Sequence, residues 1–132
     1  MKISTKGRYG LLIMLYLGRS YQSNEFISLG EIAEKENISL KYLEKIMTQL
    51  RKKDFFIASR GNSGGYRLKK EPKEYTILEI LKAAEGNIDV TKCVQDEFSC
   101  PMKRSCGTYS VWKDLNDCIQ NFLEQKTLED YL

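Results

Sequence analysis

Apolar residues recur along the first half of the chain at the spacing of short amphipathic helices. A nearly continuous apolar run over residues 11–17 predicts a first helix that is covered on most sides. Ser28 followed by Glu31 is the capping-box pattern and predicts the start of a second helix, which Asn37 can end in a left-handed conformation. Ser39 predicts the N-cap of a third helix. The apolar stripe of this third helix consists of Leu40, Leu43, Ile46, Met47 and Leu50.

The other face of the third helix is polar and mildly basic. Its positions are Lys41, Tyr42, Glu44, Lys45, Thr48 and Gln49. Two short helices joined by a tight turn, the second with such a face, have the organisation of a helix-turn-helix. Other helical hairpins share this pattern, so the segment that follows is needed to interpret it.

A glycine-rich β-hairpin is predicted directly after the third helix, in the stretch FFIASRGNSGGYRLKK. Phe55–Ala58 is β-prone, GNSGG predicts a turn, and Tyr66 and Leu68 alternate with the cations Arg67 and Lys69. A helix-turn-helix followed by such a hairpin predicts a winged helix. An ordinary edge hairpin kept soluble by its charges is the structural alternative.

Arg60 lies at the tip of this predicted wing. Gly61, Gly64 and Gly65 carry no side chain, so the backbone could approach a sugar-phosphate wall closely while Arg60 reaches into a groove. Narrow minor grooves concentrate negative potential and favour arginine. We therefore predict that the wing contacts DNA.

Two more helices are predicted in the second half of the chain. Thr76 and Gly86 indicate the start and the end of a fourth helix. The last helix has an apolar stripe too wide to face water, so it is expected to pack on its own domain or on the same helix of a second copy. This stripe consists of Val111, Leu115, Ile119, Phe122 and Leu123, with Trp112 beside it.

Charge divides the chain into unequal halves. Its 132 residues are 42% hydrophobic and 30% charged, which is typical of one globular domain. Residues 1–73 have 15 Lys and Arg against 7 Asp and Glu, a balance of +8, whereas residues 74–132 have 6 against 11, a balance of −5. A basic half suggests a polyanionic partner. Unevenly distributed surface charge would give the same totals.

The first residues are not expected to form a targeting or membrane segment. The apolar run after Lys2, Lys6 and Arg8 is too short to span a bilayer, and LGRSYQS lacks a small-x-small cleavage site. We therefore expect a cytoplasmic protein without a membrane partner, in which thiols remain reduced.

Three of the four cysteines, Cys93, Cys100 and Cys106, lie within fourteen residues. The chain has no histidine and no C-x-x-C, which disfavours a structural zinc site. Three thiolates on a wide loop can surround an iron–sulfur cluster, and the charges of Lys103 and Arg104 would lower thiol pKa values. Oxidisable surface cysteines and a thiol-based redox sensor are the alternatives. Cys118 is interpreted as a buried core residue of the last helix, with a role as fourth ligand the alternative.

The chain resembles the IscR-type winged-helix transcription regulators over essentially its whole length. The resemblance rests on MKISTKGRYG, ISLKYLEKIMTQLRK, SRGNSGGYRL and KCVQDEFSC, followed by SCGTYSVWKDLND and FLEQKTLEDYL. It implies a homodimer whose long helices cross, with a cluster near the dimer interface and wings on DNA. The implied fold is mainly α with a small β-hairpin, formed by a winged helix-turn-helix at residues 1–73 and by a cluster loop and dimerisation helices at 74–132.

The resemblance also assigns roles to single residues. Lys41, Tyr42, Glu44 and Lys45 match the recognition residues that face the DNA groove, and Arg60 matches the minor-groove arginine. Ser39, at the start of the same helix, is also predicted to contact DNA, as are Gly61, Gly64 and Gly65 of the wing. Cys93, Cys100 and Cys106 match the three cluster ligands. Where iron–sulfur biogenesis regulators have a histidine as fourth ligand, this chain has Tyr109, and where nitric-oxide-sensing relatives have an acidic residue in the first helix, it has Arg8.

These observations predict a DNA-binding transcription regulator, acting as a repressor on a two-fold symmetric operator. It would sense iron–sulfur status, redox state or nitric oxide through a cluster, with 2Fe-2S favoured over 4Fe-4S and the fourth ligand open between Tyr109, Cys118, an acidic side chain and a small molecule. The alternatives are a regulator controlled by bare thiols or by a protein partner, and a small iron–sulfur electron-transfer protein. An enzyme is not expected, because paired catalytic carboxylates and a nucleophile elbow are not recognisable.

Overall fold

The structure, a computed structural model, describes residues 2–95 and 100–132. In this part of the chain it is mainly helical with one two-stranded antiparallel sheet, which confirms the predicted fold class. The helices are α1 (Thr5–Arg19), α2 (Leu29–Glu36), α3 (Leu40–Leu50), α4 (Ile77–Glu85) and α5 (Tyr109–Gln125). The strands are β1 (Phe56–Ser59) and β2 (Gly65–Leu68). Short 3-10 turns occupy Tyr21–Ser23, Arg51–Lys53, Pro72–Glu74, Lys92–Val94 and Leu128–Tyr131.

Local side-chain caps start the helices where the sequence predicts them. The Ser28 hydroxyl accepts a hydrogen bond from the Glu31 N–H (3.1 Å), and the Thr76 hydroxyl accepts one from the Glu79 N–H (3.1 Å). Asn37 ends α2 in the left-handed conformation, with φ 54°. Each cap satisfies a backbone group that the helix terminus leaves without an intrahelical partner, so these boundaries are encoded locally.

The main core lies between α1, α2, α3 and α4. Its largest fully buried side chains are Ile13, Met14, Leu17, Ile32, Leu43, Met47, Leu50, Leu68, Ile80 and Leu128. Leu40 is 43% exposed, so its place in the predicted apolar stripe is wrong. It occupies the first position of α3, and the buried part of the stripe begins one turn later at Leu43.

The wing is attached to the segment that precedes α2. The Ile27 N–H donates to the Tyr66 carbonyl and the Tyr66 N–H donates to the Ile27 carbonyl, both at 2.8 Å. A Cβ atom on Gly65 would lie 2.4 Å from the carbonyl carbon of Ile27. Only a residue without a side chain allows the two backbones to approach this closely, so Gly65 fixes the wing against the helix-turn-helix.

The C-terminal end of the chain packs into the same core as the first half. Leu128 is fully buried, and its N–H donates to the Tyr75 carbonyl (2.9 Å). The Tyr75 hydroxyl in turn donates to the carbonyl of Phe55 (3.0 Å) at the start of the wing. The core therefore includes residues from both sides of the predicted division at residue 73, and that division stays a prediction.

Replacing Gly65 by alanine is expected to lower the free energy of unfolding by about 1–3 kcal/mol, because the added methyl group overlaps the backbone of Ile27. Gly107→Ala is the matched control, since a Cβ atom there meets no atom within 4 Å. Urea unfolding followed by circular dichroism measures both. Equal unfolding midpoints for Gly65→Ala and the parent protein would contradict the prediction.

Candidate nucleic-acid interface and thiol segment

The polar face of α3 is open to solvent at most of the positions predicted to contact DNA. Ser39, Lys41, Glu44 and Lys45 are exposed. The Ser39 hydroxyl also accepts a hydrogen bond from the Tyr42 N–H (3.3 Å), so it caps the helix. Tyr42 is half-buried, and its ring packs edge-on against that of Tyr9 at 5.7 Å between centroids. Tyr42 therefore also joins α3 to α1.

The turn of the wing presents Arg60 to solvent next to Gly61. Gly61 has φ 103°, and a Cβ atom there would meet no other atom within 4 Å. At Gly64 a Cβ atom would lie 2.5 Å from the Ser59 carbonyl oxygen, inside the turn itself. Close contacts within the chain therefore explain why positions 64 and 65 are glycine, whereas the space around Gly61 is open to a partner.

Two cations of the wing segment, Arg67 and Lys69, form contacts within the chain. The Arg67 guanidinium donates to the Asn24 side-chain oxygen (3.0 Å) and lies 5.3 Å from the centre of the Phe26 ring. Lys69 forms an ion pair with Asp54 (2.8 Å). Arg67 thus reinforces the attachment of the wing, and Arg60 is left as the exposed cation of the turn.

The three clustered cysteines do not form a preassembled metal site. Within residues 2–95 and 100–132, no three His, Cys, Asp or Glu side chains are grouped so that they could hold a metal ion. Cys93 and Cys100 are half-buried and Cys106 is exposed. The Cys93 sulfur lies 3.0 Å from the Thr91 hydroxyl oxygen.

Neighbouring hydrogen-bond donors increase the acidity of Cys106. The hydroxyl of Thr108, followed by the backbone N–H groups of Thr108 and Tyr109, lowers its pKa. The indole N–H of Trp112 donates to the same Thr108 oxygen (3.2 Å), which leaves the Thr108 proton free for the sulfur, 3.4 Å away. The lowered pKa of Cys106 thus comes from hydrogen-bond donors at the start of α5 and not from the neighbouring cations. Of these cations, Lys103 places its ammonium group 5.0 Å from the centre of the Tyr109 ring.

Cys118 is exposed on α5, so its interpretation as a buried core residue is wrong for this chain. The side of α5 that packs against the rest of the chain is a different one. Asn116, which is 6% exposed, is the buried residue of α5, and Gln120 lies one turn further along. A polar side of α5 therefore faces the chain, and much of its apolar stripe faces outward.

Asp89 connects α5 to the segment that leads to Cys93, a role that sequence reasoning missed. Its carboxylate accepts hydrogen bonds from the side-chain amides of Asn116 (2.9 Å) and Gln120 (3.2 Å). The side-chain oxygen of Asn116 accepts a further one from the Val90 N–H (3.0 Å). The spacing of Asn116 and Gln120, one turn apart between apolar positions, is the signal that could have revealed this contact.

No helix in the described ranges is both long enough and apolar enough to cross a lipid bilayer.

Comparisons with known proteins extend over nearly the whole chain. The family model described as "Rrf2: Iron-dependent Transcriptional regulator" matches residues 3–132. The HTH-type transcriptional regulator IscR of Photorhabdus laumondii is 35% identical over 130 residues, which is 98% of this chain and 78% of that protein. The IscR of Vibrio campbellii is 36% identical over 132 residues, covering 100% of this chain and 77% of that protein.

Solved structures of transcription regulators are also similar to nearly the whole chain. CymR, the global cysteine regulator of B. subtilis, is 37% identical with a TM-score of 0.81, over 99% of this chain and 95% of that chain. T. potens IscR is 33% identical with a TM-score of 0.77, over 99% of this chain and 85% of that chain.

Removing the Thr108 hydroxyl is expected to slow alkylation of Cys106 near neutral pH. A lowered pKa means more thiolate at a given pH, so Thr108→Val should move the rate–pH profile of Cys106 to higher pH. Mass spectrometry of iodoacetamide-labelled peptides measures each cysteine separately. Cys118, remote in sequence from the substitution, is the internal control, and an unshifted Cys106 profile would refute the assignment.

Proposed function

The chain belongs to the Rrf2 family of transcriptional regulators, and we propose that it is a homodimeric repressor that senses iron–sulfur status, redox state or nitric oxide through its thiol segment, residues 93–106. The main support is that the exposed face of α3 lies beside the wing, because Glu44 and Thr48 line one cavity with Tyr66 of β2, and that the turn of this wing presents Arg60. Both belong to the half of the chain with a charge balance of +8. We expect such a regulator to act in the cytoplasm, where it meets DNA.

In this proposal α3 recognises the bases of the DNA, and the wing contacts the minor groove and the backbone. Lys41, Glu44 and Lys45 offer donors and acceptors to base edges in the major groove. Arg60 is suited to a narrow minor groove, and the backbone at Gly61 can approach the sugar-phosphate wall. In a dimer the operator would be two-fold symmetric, with half-sites about one helical turn or a multiple apart.

An iron–sulfur cluster is the first candidate for the sensor, with 2Fe-2S favoured. The donor set is suitable in its chemistry, because Cys93, Cys100 and Cys106 supply three thiols and the lowered pKa of Cys106 favours the thiolate that binds iron. A bound cluster would supply a covalent link between the three thiols. Tyr109, Cys118, an acidic side chain or a small molecule would complete the ligand set.

A regulator that works through bare thiols is the second candidate. Cys106 is exposed and has a lowered pKa, as expected of a thiol that reacts in solution. The likeness to CymR, whose structure is described as that of a global cysteine regulator, supports this candidate. Here the chemical state of Cys106 at the start of α5 would control DNA binding.

A second copy of this chain is the proposed partner of α5. Val111, Leu115 and Phe122 are 56%, 42% and 52% exposed, and they follow one another at helical spacing on one face. A groove of about 410 Å³ lies nearby on the same chain. Its lining residues are Ile3, Arg8, Leu11, Leu15, Ile77, Leu81, Leu123 and Tyr131. Apolar surface of this extent is typical of an interface, and a symmetric pair would let two α3 helices read two half-sites.

Purification without oxygen tests the sensor. We expect coloured protein that contains iron and sulfide, with iron absent when Cys93, Cys100 and Cys106 are all replaced by serine and retained in the control Met102→Ala. DNA affinity, measured by fluorescence anisotropy on operators selected from genomic fragments, should differ between iron-loaded and iron-free protein.

The opposite outcomes discriminate between the two candidates. Colourless, iron-free protein whose response to oxidants is abolished in Cys106→Ser would favour the bare-thiol regulator. A triple serine variant that responds to every signal as the parent protein does would contradict both candidates.

Replacing Leu115 by aspartate is expected to raise the dimer dissociation constant at least about tenfold, or about 1.4 kcal/mol, because a carboxylate would be buried in the α5 interface. Sedimentation equilibrium measures the constant. Asn121→Asp, at an exposed polar position of α5, is the matched control. A monomeric parent protein, or equal constants for parent and Leu115→Asp, would overturn the proposed interface.

A further inference from the structure

Four lysines from three parts of the chain converge on one cleft. Lys6 comes from the first turn of α1, Lys52 and Lys53 follow α3, and Lys82 lies on α4. The cleft has a volume of about 370 Å³, which is within the range of small-molecule sites. The other lining residues are Gln49, Ala83, Ala84, Glu85 and Gly86.

The charge of this lysine cleft is largely uncompensated. The ion pairs found among the described residues use Lys35, Lys69, Lys73 and Lys113, and thus no lysine of the cleft. Glu85 is the carboxylate among the described lining residues, and it accepts a hydrogen bond from the Ser4 N–H. Clefts lined by charges of one sign focus the electrostatic field and attract ions of the opposite sign.

The helix dipole explains only part of this arrangement. The carbonyl end of α3 favours nearby cations and accounts for Lys52 and Lys53. Lys52 also donates to the side-chain oxygen of Gln49 (3.1 Å). The last turn of α4 likewise favours Lys82. Lys6 lies in the first turn of α1, where the positive end of the helix dipole disfavours a cation. The convergence of all four lysines, with Lys6 placed against the preference of its own helix, indicates a site for an anion.

The lysine cleft continues the face of α3 that is proposed to read DNA. Gln49 belongs both to the exposed face of α3 and to the wall of the cleft. The position of Lys6 follows from the close crossing of α1 and α4, because a Cβ atom on Gly10 would lie 2.7 Å from the Cβ atom of Ala84. On the α3 side, the same Cβ atom would be in ordinary contact, at 3.8 Å, with the side chains of Ile46 and Leu50. A DNA duplex lying on α3 would therefore extend toward the cleft.

We propose that the lysine cleft binds phosphate groups of the DNA backbone, beyond the groove contacted by α3. This inference rests on the proposed DNA-binding function and adds a third contact to those of α3 and the wing. Lysine ammonium groups bind phosphate as point charges without reading the base sequence. The cleft would thus contribute affinity and orientation rather than specificity.

Gly86 also links the cleft along the chain to the segment that leads to Cys93. It is the first residue after α4, and the chain continues from it toward Asp89 and Cys93. The bond from the Ser4 N–H to Glu85 joins the end of α4 to the start of α1, two residues before Lys6. The cleft is therefore connected through the backbone to the proposed sensor.

The double substitution Lys6→Gln/Lys82→Gln tests this inference without altering α3 or the wing. The probe is a fluorescein-labelled mixed-sequence DNA duplex, because binding to phosphate does not depend on the bases. The slope of log affinity against log salt concentration should become shallower by about 0.9 for each phosphate group that the variant no longer neutralises. Lys35→Gln/Lys113→Gln removes the same charge at exposed sites elsewhere and should leave the slope near that of the parent.

Each outcome has a distinct meaning. A parent protein that does not bind the duplex would refute the proposed DNA-binding function itself. A parent that binds, together with equal slopes for both double variants, would overturn the assignment of the cleft. Thermal stabilisation by inorganic phosphate that disappears in Lys6→Gln/Lys82→Gln, with an unchanged DNA slope, would assign the cleft to a free phosphate ligand and likewise overturn the proposal.

Discussion

The DNA-facing geometry of this protein depends on one pair of backbone hydrogen bonds, between Ile27 and Tyr66. Ile27 directly precedes the N-cap of α2 and Tyr66 lies on β2, so the pair joins the wing to the helix-turn-helix. Gly65 permits the approach, and Arg67 strengthens it through its hydrogen bond to Asn24. A wing held in this way can keep a constant distance from α3, which a two-point contact with DNA requires.

One polar contact and one apolar contact hold α5 against the rest of the chain. Asp89 binds the side-chain amides of Asn116 and Gln120, while Leu128 inserts beyond the end of α5 into the main core. Because these contacts use the polar side and the C-terminal end of α5, much of its apolar face stays exposed, and this is the face on which a second copy is proposed to pack. The start of α5, with Cys106, lies at the opposite end of the helix from the Leu128 anchor.

The end of α4 links the start of α1 to the segment that leads to the cysteines. Glu85 binds the start of α1, and the next residue, Gly86, begins the connection toward Cys93. In the proposed regulator, a signal at the thiols would reach α1 and Lys6 through this junction by shifting the population of its conformations.

Local patterns in the sequence predict the helices, their caps and the hairpin, because hydrophobic periodicity and capping at residues such as Ser28 and Thr76 are local properties. The packing of the chain was needed to show that Cys118 is exposed, that Arg67 is hydrogen-bonded within the chain, and that the lysines of α1 and α4 share a cleft. These outcomes depend on how helices cross and on which side of α5 is anchored by Asp89. Residues far apart in the chain set both, so no local pattern encodes them.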